Sequence, residues 1–455
     1  MKADVFDLLK SRGYVYQCTN LAKAAELLNG DKPVTFYLGI DPTADSLHIG
    51  HFFALMMFRH LQEAGHRGIL VVGGATAMIG DPSCKSDMRK MLAPEQIRHN
   101  LEEVSELAKR FIITDGANPA IIVNNADWMN TYNFVDFMRL VGVHFNVNTM
   151  LATDAYANRL KQGGLTFLEM GYMLMQAFDF IHLYQEYGCR LQIGGSDQWG
   201  NIVAGTALRR KLWFAGRGPE TDGSEAVEPG ADGPGADGPE ADGPENDEQE
   251  ILGLTCPLLL NKDGVKMGKT ESGTLWVARE KTTAYDFYQY FYNVDDADVD
   301  MLLRLFTRIS LAEISELCAG DIIKAKRLMA YEITKLVHGE EETAKALSAA
   351  QALFGGGAAG GVAGDEAPES EYLIGTEGIS VVDLFVRAGF AESKSEVRRL
   401  IQQNGAAVDG RRCADPDEIV TRPQDKDYVL LKKGKKSFLK VRFRREDEHA
   451  ISGGS

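Results

Sequence analysis

The sequence predicts an α/β protein, in which a parallel sheet is followed by an α-helical region and a small, basic α+β domain. Three observations predict it. Short apolar runs alternate with helical stretches as far as Leu260, a pattern that favours a parallel sheet. Apolar residues then recur at helical spacing from about 283 to 352, as in Leu302, Leu303, Leu305, Phe306, Leu311, Ile314 and Leu317. Finally, residues 378–445 carry 16 basic and 9 acidic side chains, in a chain whose formal net charge is -16.

Taken in order, residues 34–40 read as a strand that Asp41-Pro42-Thr43 breaks, and residues 47–63 as a helix stopped at Gly65. Further strands are expected at 68–72, 120–123, 190–193 and 254–260, the last followed by an Asn261-Lys262-Asp263-Gly264 turn. Sheets of this kind bind ligands beyond the carboxyl ends of their strands. The loops that begin at Gly39, Gly73 and Gly194 therefore mark the expected site. The domain division that follows is 1–280, 281–352, a linker at 353–376, a basic domain at 377–445 and a tail at 446–455. The linker rests on six glycines in 355–364 followed by a polar run.

Residues 216–250 stand apart. They hold 12 acidic side chains and 1 basic one, and repeat Ala-Asp-Gly-Pro at 231–234, 236–239 and 241–244. With Val227 their only branched aliphatic residue, they cannot bury enough apolar surface to offset ordering. A disordered, solvated insertion is expected there.

Composition closes off several classes. With 44% hydrophobic and 25% charged residues among 455, the chain is neither fibrous nor wholly disordered. Gly68 to Gly80 is too short and glycine-rich to span a bilayer. Met1-Lys2-Ala3-Asp4-Val5 begins no secretory signal. Cys18, Cys84, Cys189, Cys256, Cys318 and Cys413 form no C-x-x-C pair, so reduced thiols and a cytoplasmic location are expected.

Four segments carry chemistry. The first runs from Gly39 to His51 between a strand and a helix, and includes Asp41, Thr43, His48 and Gly50. A helix N-terminus offers unpaired N–H groups, and two histidines three apart beside a glycine suit a polyphosphate. A metal site would need a third ligand beside His48 and His51, where no further His or Cys stands. The second, Lys266-Met267-Gly268-Lys269-Thr270, sets two lysines on a glycine loop. It is not a P-loop, because only three residues separate Gly264 from Gly268. The third places Tyr172, Gln176 and Asp179 on one helix face amid apolar neighbours. The fourth, Gln192 to Asn201, ends a strand in Gly194-Gly195 and offers Asp197 and Gln198 for ribose or carboxylate recognition, with helix capping as the simpler role for Asp197.

Together these strings resemble the bacterial-type tyrosyl-tRNA synthetases. His48-Ile49-Gly50-His51 is similar to the HIGH signature of class I synthetases, and Lys266 to Thr270 to their KMSKS signature. The longer strings Asp41 to His51, Tyr172 to Asp179 and Gln192 to Asn201 resemble the tyrosine enzymes in particular. The resemblance implies a Rossmann-like catalytic domain and a homodimer. It also implies ATP as a substrate, Mg²⁺ bound through the phosphates, and no prosthetic group or metal cage. Tyr37 and Asp179 would bind the phenol of L-tyrosine. Asp81, Tyr172 and Gln176 would hold its amino group, with Asn125 nearby, and Gln198 its carboxylate. Gly39, Asp41, Gly50, Gly195 and Asp197 would bind ATP; Thr43, His48, His51, Lys85, Arg89, Lys266, Lys269 and Thr270 would act on its phosphates. The basic block resembles a ribosomal-type RNA-binding domain, with Lys394, Arg398, Arg399, Lys432, Lys433, Lys435 and Lys436 facing tRNA(Tyr).

The sequence departs from the family pattern in three places: Cys84 for a common glycine, Leu38 beside the ribose position, and Gly268 for the serine of the lysine signature. The tryptophan-specific sister family is opposed by Tyr37, Asp179 and the basic domain. A catalytically silent RNA-binding protein is opposed by the retained histidines and lysines, and another nucleotidyltransferase by the amino-acid pocket face.

Overall fold

The computed structural model describes residues 4–84, 92–215, 250–270, 273–354, 369–373, 378–391, 393–421, 423, 428–434 and 437–444. The acidic insertion, apart from Glu250, lies outside them, as do Lys85, Arg89, Lys435 and Lys436. Chain contacts divide the protein into two units, residues 1–278 with 295–322, and residues 279–294 with 323–455.

The first unit is built on six strands: β1 (Gln17–Cys18), β2 (Thr35–Ile40), β3 (Arg67–Val72), β4 (Ile121–Asn124), β5 (Cys189–Gly195) and β6 (Leu252–Cys256). Their order is β1-β6-β5-β2-β3-β4. All neighbours are parallel except β1, which runs against β6. This is the α/β class expected. Strands covered on both faces need apolar side chains on both. Accordingly Phe36, Tyr37 and Leu38 of β2, and Ile69 to Val72 of β3, are all buried. Sequence reading missed β1, since two residues show no periodicity. It also ran β6 on to Leu260, but Pro257 has no N–H to donate and the ladder stops at Cys256.

The chain winds from β2 through β3 to β4, then crosses back so that β5 pairs with the other side of β2. The switch point at the β2 and β5 ends is where a crevice opens in such sheets. Two helices serve it. Ile49–Glu63 follows β2 and ends before Gly65, whose φ of 93° suits glycine. Phe167–Tyr187 starts at a reciprocal cap between Thr166 and Glu169 and buries Met173, Ala177, Phe180 and Ile181.

The stretch expected as one helical region, 281–352, is shared between the units. Val299–Phe306 belongs with the first because Phe306 stacks on Phe52 at 5.4 Å. Arg12 also donates to the Arg304, Thr307 and Ile309 carbonyls at 2.9 Å each, closing that helix's C-terminal end. In the second unit the helices Ala284–Tyr292, Ile322–His338 and Glu340–Phe354 run through this stretch, and Phe287 meets His338 edge-on at 5.0 Å.

The C-terminal part of the second unit has a core of Val381, Leu384, Phe385, Val397, Val429, Leu431 and Val441. Its five-stranded sheet includes Glu369–Leu373, within the expected linker, paired in parallel with Ser437–Arg444. The register sets Glu369 opposite Lys440 and Glu371 opposite Arg442. A composition scan cannot see that register.

Candidate active site

A cavity of about 620 Å³ opens at the carboxyl ends of β2 and β5. It brings together Tyr37, Gly39, Asp41, Thr43, His48, Gly50, His51, Asp81, Asn125, Tyr172, Gln176, Asp179, Gly195, Asp197, Gln198 and Lys266 from strings far apart in the sequence. The backbone of Lys269 and Thr270 forms a short strand beside this loop.

At the inner end, Tyr37 is 2% exposed and its hydroxyl has no partner among the described residues. Burial first, then the Asp179 charge, push its pKa well above the ordinary tyrosine value. Asp179 accepts from Trp128 Nε1 at 2.8 Å and Asn125 Nδ2 at 3.1 Å. Burial still lifts its pKa to about 7, with the nearby Asp41 charge adding to the rise and those two donors opposing it. Gln176 and Gln192 each bury a carbonyl oxygen with no partner among the described residues. Buried polar groups ordinarily find partners, so three orphans in one cavity point to a polar ligand.

The middle of the cavity is more fully bonded. Asp81 accepts from the Ser83 amide at 2.9 Å, the Ser83 hydroxyl at 2.5 Å and Gln198 Nε2 at 2.6 Å. Tyr172 donates to Asp41 Oδ2 at 2.9 Å, and Thr76 to Asp41 Oδ1 at 2.7 Å. Asn125, expected near the amino-group residues, lines the same cavity as they do and bonds Asp179. The Ala75 amide donates to its Oδ1 at 2.8 Å and turns its NH₂ toward that carboxylate. Trp128, Thr76, Gln192 and Ser83 were missed by the sequence reading. Gln192 stood inside a quoted string and Ser83 lies two residues from Asp81, whereas nothing local marks the Trp128 indole or the Thr76 hydroxyl as a partner of a residue about fifty positions away.

The outer end is the histidine turn. His48 is the N-cap of the Ile49–Glu63 helix, and its Nδ1 accepts from the Gly50 and His51 amides at 3.1 and 3.2 Å. His51 Nδ1 in turn accepts from the His48 amide at 3.4 Å, and the rings stack at 3.7 Å. With each Nδ1 accepting, each Nε2 carries the proton and can donate even from a neutral ring.

The lysine loop closes against this turn. Gly268 has φ of 87°, and a Cβ there would lie 2.3 Å from Ile49 Cγ2. In this loop conformation a serine would strain the backbone and force Ile49 to shift, which favours glycine at the position. From the loop, Lys266 reaches Asp197 at 3.8 Å.

In the second unit, the proposed RNA-facing cations divide. Lys394 pairs with Asp383 at 2.6 Å and Lys433 with Glu396 at 2.6 Å. Arg398 and Arg399 are exposed on the Lys394–Gln402 helix, while Lys432 is half-buried. Lys440 is 1% exposed, with its ammonium 4.3 Å from the Tyr428 ring centre.

A parallel sheet with a paired-histidine helix cap and a lysine loop over one cleft defines a class I aminoacyl-tRNA synthetase. The family described as tRNA synthetases class I (W and Y) matches residues 29–355, and the tyrosine–tRNA ligase SYY-like C-terminal domain matches 363–441. The tyrosine–tRNA ligase of Clostridium beijerinckii is 45% identical over 447 residues, covering 96% of this chain and 99% of that protein. That of Clostridium kluyveri is 44% identical over 443 residues, with the same shares. Among solved structures, a C-terminally truncated mitochondrial tyrosyl-tRNA synthetase from Coccidioides posadasii superposes with a TM-score of 0.61 at 30% identity. It covers 76% of this chain and 91% of that one. The corresponding Aspergillus nidulans protein gives 0.63 at 25%, covering 77% and 94%. This chain belongs to the tyrosine–tRNA ligase family.

Proposed function

We infer that the protein activates L-tyrosine with ATP and transfers it to the 3′ end of tRNA(Tyr). The observation that carries the choice of amino acid is the orphaned Tyr37 hydroxyl beside Asp179 at the closed end of the cavity. A phenol there donates to Asp179 and accepts from Tyr37. Phenylalanine would leave the buried Tyr37 hydroxyl without a partner and give Asp179 no donor beyond Trp128 and Asn125.

The tyrosine carboxylate attacks the α-phosphorus of ATP in line. The new C–O–P linkage forms as the bond to the β-phosphate oxygen breaks, giving tyrosyl-adenylate and pyrophosphate. A tRNA ribose hydroxyl then attacks the acyl carbon and AMP departs. No protein nucleophile is needed, so positioning and charge stabilisation supply the rate. Tyr172, Gln176 and Asp81 hold the amino group, and Gln198 steers the carboxylate. Asp41, Gly39, Gly50, Gly195 and Asp197 receive the nucleotide. Thr43 and the two Nε2–H donors of His48 and His51 meet the leaving phosphates, with Lys85, Arg89, Lys266, Lys269 and Thr270 from the loops.

The donors at that end are imidazoles, a hydroxyl and a lysine, which suit phosphate oxygens better than a hard cation. Mg²⁺ therefore arrives on ATP and supplies charge neutralisation there. A cytoplasmic homodimer completes this reading. Phe134, Val135, Val143 and Val147, all more than half exposed, offer an apolar surface for a second copy. No described helix is long and apolar enough to cross a membrane.

The reading treats the C-terminal part as the tRNA grip. A chain ended within 355–368, ahead of the Glu369–Leu373 strand, should retain tyrosine-dependent ATP–pyrophosphate exchange. Its tRNA charging should fall about tenfold or more, because several phosphate contacts are lost together. Equal loss of both activities would refute this division.

A further inference from the structure

We propose that Thr76 is a positioning residue that makes the phenol and amino-group ends of the tyrosine subsite a single hydrogen-bonded unit. The inference rests on the tyrosine-activating reading of this cavity. Thr76 is 3% exposed, on the turn after β3. Its hydroxyl donates to Asp41 Oδ1 at 2.7 Å and accepts from Asn125 Nδ2 at 3.0 Å. Outward from Asp41 comes Tyr172 at 2.9 Å. Outward from Asn125 come Asp179 at 3.1 Å and, on its other carboxylate oxygen, Trp128 at 2.8 Å.

Proton bookkeeping fixes the direction of every bond. The Ala75 amide can only donate, so Asn125 Oδ1 faces it and both Asn125 hydrogens are committed to Thr76 and Asp179. Asp41 accepts from both Thr76 and Tyr172, so the hydroxyl proton of Thr76 points to Asp41. Thr76 is thus the hinge at which a carboxylate-centred half and an amide-centred half meet. The backbone is shaped around the same contact, since a Cβ on Gly73 would fall 2.2 Å from both Asp41 Oδ1 and Thr76 Oγ1. Valine keeps the volume of threonine but cannot serve either partner. It would leave the Asp41 carboxylate short of one donor and release the Asn125 amide that holds Asp179.

Exchange kinetics on the full-length protein test this. Thr76→Val should raise the KM for tyrosine about 10- to 100-fold and, because Asp41 also receives the nucleotide, the KM for ATP by a clearly smaller factor, with kcat within about twofold. The preference for tyrosine over phenylalanine should narrow, because the loss reaches Asp179. Thr76→Ser, which restores the hydroxyl, should recover most of the tyrosine affinity. If the valine variant does not fold, Thr76→Cys, a weak donor of similar size, carries the same expectation. An unchanged tyrosine KM, a fall of kcat with a comparable rise of both KM values, or a serine variant as poor as the valine one would overturn the role of Thr76. Absence of tyrosine-dependent exchange in the unaltered protein would instead overturn the reading of the cavity.

Discussion

Asp179→Ala is expected to raise the KM for tyrosine about 10²–10³-fold and to leave ATP saturation nearly unchanged. Asp179 is 4% exposed and accepts from Trp128 and Asn125. Removing it strands two donors as well as the phenol of the substrate, and each stranded buried group costs about 1–3 kcal/mol. ATP is proposed to bind along Gly39, Gly50, Gly195 and Asp197, which this change does not touch.

The same carboxylate should give tyrosine capture a pH dependence. Its pKa lies near 7 in the free protein, raised by burial. The ionised form is the better acceptor for a phenol, so kcat/KM for tyrosine should climb as pH rises through 7 and level off above. Asp179→Asn should flatten that climb. For stability the sign is opposite. The folded carboxyl keeps its proton to higher pH than the unfolded one, so its contribution is full below about pH 4 and lost as pH rises through 7. Unchanged tyrosine saturation in the alanine variant would refute the pocket assignment.

His48→Ala should strike the other kinetic constant. The ring has two jobs. Nδ1 caps the Ile49–Glu63 helix by accepting from Gly50 and His51, and Nε2–H is proposed to meet the leaving phosphates. A donor that meets charge developing in the transition state is worth about 10²–10³ in rate. A fall in kcat of that order is expected, with both KM values changed far less. Loss of the cap should lower stability by about 1 kcal/mol, which thermal unfolding would register separately. A variant with raised KM for ATP and unaltered kcat would show that His48 binds the ground state instead.

Much of this site is legible in the sequence because its elements are local. The His48 turn, the Lys266 loop and the Tyr172–Gln176–Asp179 face are each set by spacing within one strand–helix junction, turn or helix. What escapes is set by partners distant in the chain. Asp41 reads as a nucleotide residue beside Pro42, yet it receives Tyr172 and Thr76 from two other segments. Asn125 reads only as a polar residue after a strand, until the Ala75 amide fixes which way its side chain faces. Lys394 and Lys433 read as RNA-facing charges from composition, which does not show that each also pairs with a carboxylate, Asp383 and Glu396. The Glu369–Leu373 strand follows a glycine-rich run and is held by register against a basic strand, so its own composition does not announce it. Helix periodicity places Val299–Phe306 correctly but says nothing of the stacking on Phe52 that assigns it to the first unit.

Tyrosine activation itself is most directly tested by ATP–pyrophosphate exchange without tRNA, measured in turn with each proteinogenic amino acid. Exchange with tyrosine alone is expected. Exchange with tryptophan, or none with any amino acid from folded protein, would contradict it.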